Sequence, residues 1–246
     1  MSDFISISSF SKFENLILRI SKREAGSLGK EEFVNRNPKL LDFLKQFDID
    51  DQNCIGMNQI HGDHIVLVNN QDKGTVFLET DGIITKESDI FLMVKTADCL
   101  PVFFYEPIKK IIGIAHLGWK GIFLNLGSKM VEKMVELGAK VSDIYIGIGP
   151  FIHVCCYDVL NERVDQFQEK YGSDPKVYKQ KKGKYYLDLQ YLLKKQFMKI
   201  GCDLQKIEFS DACTSCNNQN FFSYRKGDKD KVILGIIGRK LNGRKY

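Results

Sequence analysis

The chain has 246 residues, of which 43% are hydrophobic and 27% charged, the balance of a folded globular protein long enough to bury a large core. Its net charge of +5 is mild, and its densest basic stretches, Lys179–Lys184 and Lys226–Lys231, read as solvated loops without the aromatic interleaving of a nucleic-acid surface. No run approaches the roughly 18 apolar residues of a membrane span, the start M-S-D-F-I-S-I lacks a secretion signal, and seven cysteines, an odd number, argue for reduced thiols in the cytoplasm.

In chain order, apolar positions alternating at Ile5 and Ile7, then at Leu16, Leu18 and Ile20, predict two early strands. The loop Ser21–Gly26 follows and exposes the guanidinium of Arg23. Apolar residues at 40, 41, 44 and 47 line one face of a short helix between Pro38 and Phe47. Two of the four histidines, His61 and His64, precede a strand over Ile65–Val68. Asp81-Gly82-Ile83-Ile84-Thr85 is a turn leading into a strand, and Ile90–Val94 is another. Val102–Tyr105 and Ile111–Ala115, separated by Pro107-Ile108-Lys109-Lys110, read as two buried strands in a hairpin. Antiparallel pairing would bring Asp98-Cys99, ahead of the first, beside His116, at the end of the second.

The chain then turns through Gly118-Trp119-Lys120-Gly121 into a helix whose apolar face runs from Leu126 to Leu137 and stops at Gly138. A strand over Asp143–Ile148 leads to a turn, Phe151–Tyr157, that carries His153, Cys155 and Cys156. Helices over Val159–Phe167 and from the Asp188 cap to Gly201 follow, then strands at Ile207–Phe209 and Val232–Ile237. Strands and helices intermingle without repeat or linker, so residues 1–246 read as one mixed α+β domain built on large sheets.

His61, Cys99 and His116 form a His-Cys-His set suited to a catalytic zinc, which takes three protein ligands and keeps a position for water. Spacing alone carries little weight here, because a single Cys is more often a small buried hydrophobe. The glycine-flanked turns H-G-D-H and H-L-G-W strengthen the case. Asp98 is the candidate partner of a ligand imidazole and a candidate proton shuttle. Without metal, the same residues offer a Cys99 nucleophile with His116 as its base. Arg23, Lys120 and Arg225, cations in glycine- or aromatic-bearing turns, are candidates to hold phosphate or another anion. Cys213-Thr-Ser-Cys216 is weak evidence for a second metal, since no matching pair stands at zinc-ribbon spacing.

The combination N-Q-I-H-G at 58–62, D-G-I-I-T at 81–85, T-A-D-C-L-P-V at 96–102 and A-H-L-G-W-K-G at 115–121 is far more specific than any one piece. With I-G-P-F-I-H-V-C-C-Y-D-V at 148–159 and F-F-S-Y-R at 221–225, it resembles the bacterial YfiH-like laccase-domain family from about Arg23 to Arg239. The resemblance implies a four-layer α/β/β/α sandwich with mixed sheets and a metal on His61, Cys99 and His116. It also implies phosphorolysis of adenosine, inosine and S-methyl-5′-thioadenosine, with hydrolytic deamination of adenosine. Zinc would activate a water for deamination at neutral pH, and copper is an alternative occupant. The family's older description as multicopper polyphenol oxidase carries little weight, because such enzymes need roughly ten histidines for their coppers and this chain has four.

Departures from the family pattern are modest. Lys120 stands where arginine is usual, keeping charge but losing the bidentate fork. His153 is an unusual addition, and Lys226 follows Arg225 in place of a second arginine. The expected partners are a purine nucleoside and phosphate, taken by a monomer or weak homodimer without nucleic acid or membrane. Two alternatives stay open. One is a Cys–His hydrolase of amide or peptide-like substrates, including the peptidoglycan-precursor editing also ascribed to this family. The other is a binding protein with a structural metal.

Overall fold

The computed structural model describes residues 2–28 and 37–241. Its first strands are β1 (Phe4–Ile5), β2 (Leu16–Ser21), β3 (Cys54–Met57), β4 (Ile65–Leu67) and β5 (Val76–Phe77). Next come β6 (Gly82–Thr85), β7 (Phe91–Thr96), β8 (Leu100–Glu106), β9 (Ile111–Leu117) and β10 (Tyr145–Ile148). The last are β11 (Asp158–Val159), β12 (Tyr178–Lys181), β13 (Lys184–Leu187), β14 (Ile207–Phe209) and β15 (Ile233–Arg239). The helices are α1 (Pro38–Lys45), α2 (Trp119–Phe123), α3 (Leu126–Glu136), α4 (Asn161–Tyr171) and α5 (Leu189–Lys199).

Two mixed sheets carry the molecule, ordered β1-β2-β15-β7-β3-β5 and β14-β10-β8-β9-β6-β4, with a small third sheet β11-β13-β12 beside them. Three apolar clusters explain the stacking. Leu40, Phe43 and Leu44 of α1 meet Ile17, Phe91, Met93, Leu234 and Ile236 on one face of the first sheet. The alternate residues Leu18, Ile20, Leu92, Val94, Ile233 and Ile237 face Ile83, Phe103, Ile112 and Ile114 of the second sheet. On that sheet's far side, Val102, Phe104, Ala115 and Leu117 pack on α2, α3 and α5. The two-residue alternation of each strand thus serves two interfaces at once.

Every residue of β8 and β9 is buried, which is why their sequences are continuous apolar runs rather than alternating ones. Gly235 marks how closely the sheets approach, since a Cβ there would fall 2.7 Å from Phe103 Cζ. The β8–β9 register pairs Pro101 with His116 and Leu100 with Leu117. Cys99, one residue before β8, therefore sits beside the end of β9, as antiparallel pairing requires.

The mixed α+β class agrees with the sequence-based expectation. The stretch Lys179–Lys184 does not, because it is a hairpin rather than a loop. β12 pairs with β13 through Lys182 and Gly183, both at positive φ (50° and 74°), the conformation a tight two-residue turn demands. The charged pattern hid it, because its lysines stay exposed. β3 and β5 also escaped the sequence reading, being short and lying next to each other in parallel. No helix among the described residues is long and apolar enough to cross a membrane.

Candidate active site and metal centre

Three segments deliver the His-Cys-His set. Cys99 follows Asp98, a residue at φ 86°, a conformation that costs an L-residue about 1–3 kcal/mol unless its surroundings impose it. They do impose it: the Asp98 carboxylate accepts from Thr214 Oγ1 (2.6 Å) and the Arg225 amide (2.8 Å). The Asp98 carbonyl accepts from the Ile152 amide (2.9 Å). His116 is the penultimate residue of β9. His61, at φ 60°, lies in the loop between β3 and β4.

Asp81, at the start of β6 and wholly buried, ties two of these segments together. Its carboxylate accepts from the amides of Ile60 (3.1 Å), His61 (3.1 Å) and Gly62 (2.7 Å). It also accepts from His116 Nδ1 (2.8 Å), which leaves Nε2 as that ring's ligand atom. The His61 and His116 rings lie edge to face with centroids 4.7 Å apart. One ligand atom from each of His61, Cys99 and His116 lies within 4.8 Å of the others.

Gly118 closes the site from above, because a Cβ there would stand 3.0 Å from both Cys99 Sγ and His61 Cδ2. Burial alone would raise the Cys99 thiol, but the charge of His116 and hydrogen bonds from His116 and His61 outweigh it and bring it down to about 6. Burial likewise disfavours charge on His116, yet the Cys99 thiolate and the Asp81 carboxylate raise it to about 9. Asp81 itself would be raised by burial, and its bonds to His116 and the loop amides hold it below its ordinary value. Two imidazoles and a thiol poised as thiolate, one imidazole already oriented by a carboxylate, are a donor set that fits a zinc- or copper-type ion.

Asp98 was expected to orient an imidazole, and the structure gives that part to Asp81. Both Asp98 oxygens are spent on Thr214 and Arg225, so its direct effect is to aim Cys99. The anion candidates also separate. Arg23 is occupied: it donates to Asn218 and Phe221 carbonyls and to Asp228, with its guanidinium 4.3 Å from the Phe222 ring. It braces the 218–228 segment. Lys120 is exposed on α2. Arg225 reaches a cavity of about 610 Å³ lined by Trp119, Tyr157, Asp158, Arg163 and others, where it pairs with Asp158 at 2.5 Å. Trp119 follows Gly118 directly and the Arg225 amide holds Asp98, so the wall of this cavity and the metal donors are one continuous piece of structure.

Two functional candidates were missed from sequence. Asp81 was legible only as part of a turn, although an Asp-Gly ahead of a buried strand is a place where a carboxylate meets backbone amides. Arg163 lies on α4 with its guanidinium over the Trp119 ring and its Nη1 buried without a hydrogen-bond partner. Nothing in its sequence context distinguishes it from an ordinary helical arginine. His64 bonds Thr80 and is not among the three donors.

Fold and site together define a mixed α+β protein with a His-Cys-His centre beside an aromatic, cation-lined cavity. Residues 25–241 match the family described as multi-copper polyphenol oxidoreductase laccase, and the chain belongs to that family. It is 35% identical over 237 residues to "Purine nucleoside phosphorylase YlmD" of Bacillus subtilis, covering 92% of this chain and 82% of that one. The Geobacillus stearothermophilus protein of the same name is 31% identical over 223 residues, covering 86% of this chain and 80% of its own. Among solved structures, YlmD from Geobacillus stearothermophilus superposes with a TM-score of 0.88 at 25% identity, covering 97% of both chains. The hypothetical protein YfiH from Bacillus licheniformis gives 0.85 at 29% identity, with 93% and 94% covered.

Proposed function

We propose that this protein is a cytoplasmic, zinc-dependent purine nucleoside phosphorylase, acting on adenosine, inosine and S-methyl-5′-thioadenosine, that also deaminates adenosine. The observation that carries the reading is the cluster of His61, Cys99 and His116, tied to the cavity of Trp119, Tyr157, Arg163 and Arg225 through the Gly118–Trp119 turn and the Arg225 amide's bond to Asp98. His61, Cys99 and His116 would hold the zinc, which would supply Lewis acidity there. Trp119, with Arg163 over one face, and Tyr157, with Arg225 over one face, leave an opposite aromatic face for a purine. Arg163, with an unpartnered buried donor, and Arg225 offer guanidiniums to phosphate, and Lys120, exposed on α2 next to Trp119, is a further candidate cation. Binding there requires Arg225 to share or release Asp158. Asp98, next to the thiol in sequence, is the candidate for moving a proton, a role in which its Oδ1 would have to give up the Thr214 hydroxyl.

The test is hypoxanthine release from inosine with and without phosphate, before and after chelation. Phosphate-dependent release that chelation abolishes and zinc restores is the expected result; phosphate-independent or chelator-resistant release would overturn it. One observation favours a second reading. Asp81, His116 and Cys99 line up as carboxylate, imidazole and thiol, the arrangement of a cysteine hydrolase. Turnover of an amide substrate that survives chelation and is lost to a thiol alkylator would select it.

A further inference from the structure

We propose that Cys155, Cys156, Cys213 and Cys216 bind a second metal ion, a structural zinc, independent of the His-Cys-His centre. The C-x-x-C at 213–216 lacks a partner pair at ribbon spacing, but the fold supplies one from the opposite turn. Phe151 and Cys213 form a parallel bridge, and the Thr214 amide donates to the Phe151 carbonyl (2.9 Å). The amides of Cys156 and Tyr157 both donate to the His153 carbonyl (3.0 Å each), winding the chain so that two adjacent cysteines face the same neighbour.

The resulting sulfur positions fit one ion. One ligand atom from each of the four residues lies within 4.8 Å of the others, and Cys216 Sγ stands 3.6 Å from Cys155 Sγ and 3.3 Å from Cys156 Sγ. Zn–S bonds of about 2.3 Å in a tetrahedron place sulfurs about 3.8 Å apart. A disulfide needs about 2.05 Å, and all four cysteines are free thiols. A four-iron cluster spaces its thiolates around a larger body, so a single ion suits these distances better. The His153 amide points at Cys213 Sγ (3.4 Å), a bond of the kind that disperses charge on a ligating thiolate. On binding, each thiol gives its proton to solvent and the sulfurs enter as thiolates.

The ion would staple the turn after β10 to the turn after β14. Thr214, between the two C-x-x-C cysteines, holds Asp98; Tyr157, next after Cys156, lines the cavity. The staple would therefore keep the pocket wall in register with the catalytic thiol. It shares no ligand with the His-Cys-His centre, so failure at one leaves the other standing.

The experiment uses the full chain purified under reducing conditions. Metal content is measured for the wild type, for Cys99→Ala and for Cys213→Ser/Cys216→Ser, and the cobalt-loaded Cys99→Ala spectrum is recorded. The expected result is that the double variant holds one ion per chain fewer than wild type. Cys99→Ala, keeping only the staple, should show the intense thiolate-to-cobalt bands of a tetrahedral four-sulfur site. Equal metal content in wild type and double variant would overturn the proposal. So would a cobalt spectrum without those bands, or an intact mass lighter by two hydrogens per disulfide. The spectrum does not depend on the double variant folding.

Discussion

Replacing Asp81 tests how the metal donors are held. In Asp81→Ala three loop amides and the His116 imidazole lose their shared acceptor. Charge-assisted hydrogen bonds contribute about 1.5–3 kcal/mol each, but the 60–62 loop is partly exposed, so water replaces part of what is lost. Removing one partner of a buried charged pair costs about 3–5 kcal/mol, and we expect a loss in that range for the metal-free protein, a fall in Tm of roughly 6–20 °C. Zinc affinity, read by competition with a chromogenic chelator, should drop roughly 10–100-fold, as it does when a residue orienting a ligand imidazole is lost. Asp81→Asn keeps the shape and should lose less stability but comparable affinity. Asp81 titrates below its unfolded value, so its contribution is present above about pH 4 and is lost as pH falls through the folded value. The stability gap between wild type and Asp81→Asn should therefore persist at pH 7 and close on acidification. Wild-type zinc affinity in both variants would refute the role assigned to Asp81.

Cys99→Ala should abolish phosphorolysis and deamination together, because two imidazoles remain; normal turnover in a metal-replete variant would refute its role as ligand. In metal-free protein, alkylation of Cys99 should rise through about pH 6 rather than the ordinary thiol value of about 8.5, and zinc should protect it; a midpoint near 8.5, followed by peptide mass mapping, would count against the His116 pairing. Gly118→Ala puts a methyl 3.0 Å from Cys99 Sγ and His61 Cδ2 at a backbone conformation alanine tolerates (φ −77°), so zinc affinity should fall while Tm barely moves. Arg163→Ala should raise KM for phosphate at least tenfold with little change in KM for inosine, measured by initial rates; an unchanged phosphate KM would remove Arg163 from the anion site.

How much was readable in advance follows from what each residue's neighbours are. The β8–β9 hairpin announced itself because both faces of both strands are buried, leaving long apolar runs punctuated by a turn. The juxtaposition of Cys99 and His116 followed from antiparallel pairing alone. Asp81 stayed hidden because its chemistry depends on amides twenty residues earlier in the chain, and nothing local reports them. Asp98 drew attention by standing next to the thiol, yet its carboxylate faces Thr214 and the Arg225 amide, contacts made only once the second sheet and the 211–228 segment meet. Arg23 looked like a free guanidinium because Asp228 lies more than two hundred positions away. The cysteine quartet needed two turns brought together by a single parallel bridge.

β15 fills the middle of the first sheet, with Gly235 paired to Ile20 on one side and to Val94 on the other. While the chain is being synthesised, His61, Cys99 and His116 have all left the ribosome long before that strand exists. Until it arrives, β2 and β7 present bare edges, the kind of surface that invites mispairing and chaperone capture. A frameshift between His116 and Ile233 would therefore yield a nascent product with every donor of the His-Cys-His centre present and the first sheet without its central strand.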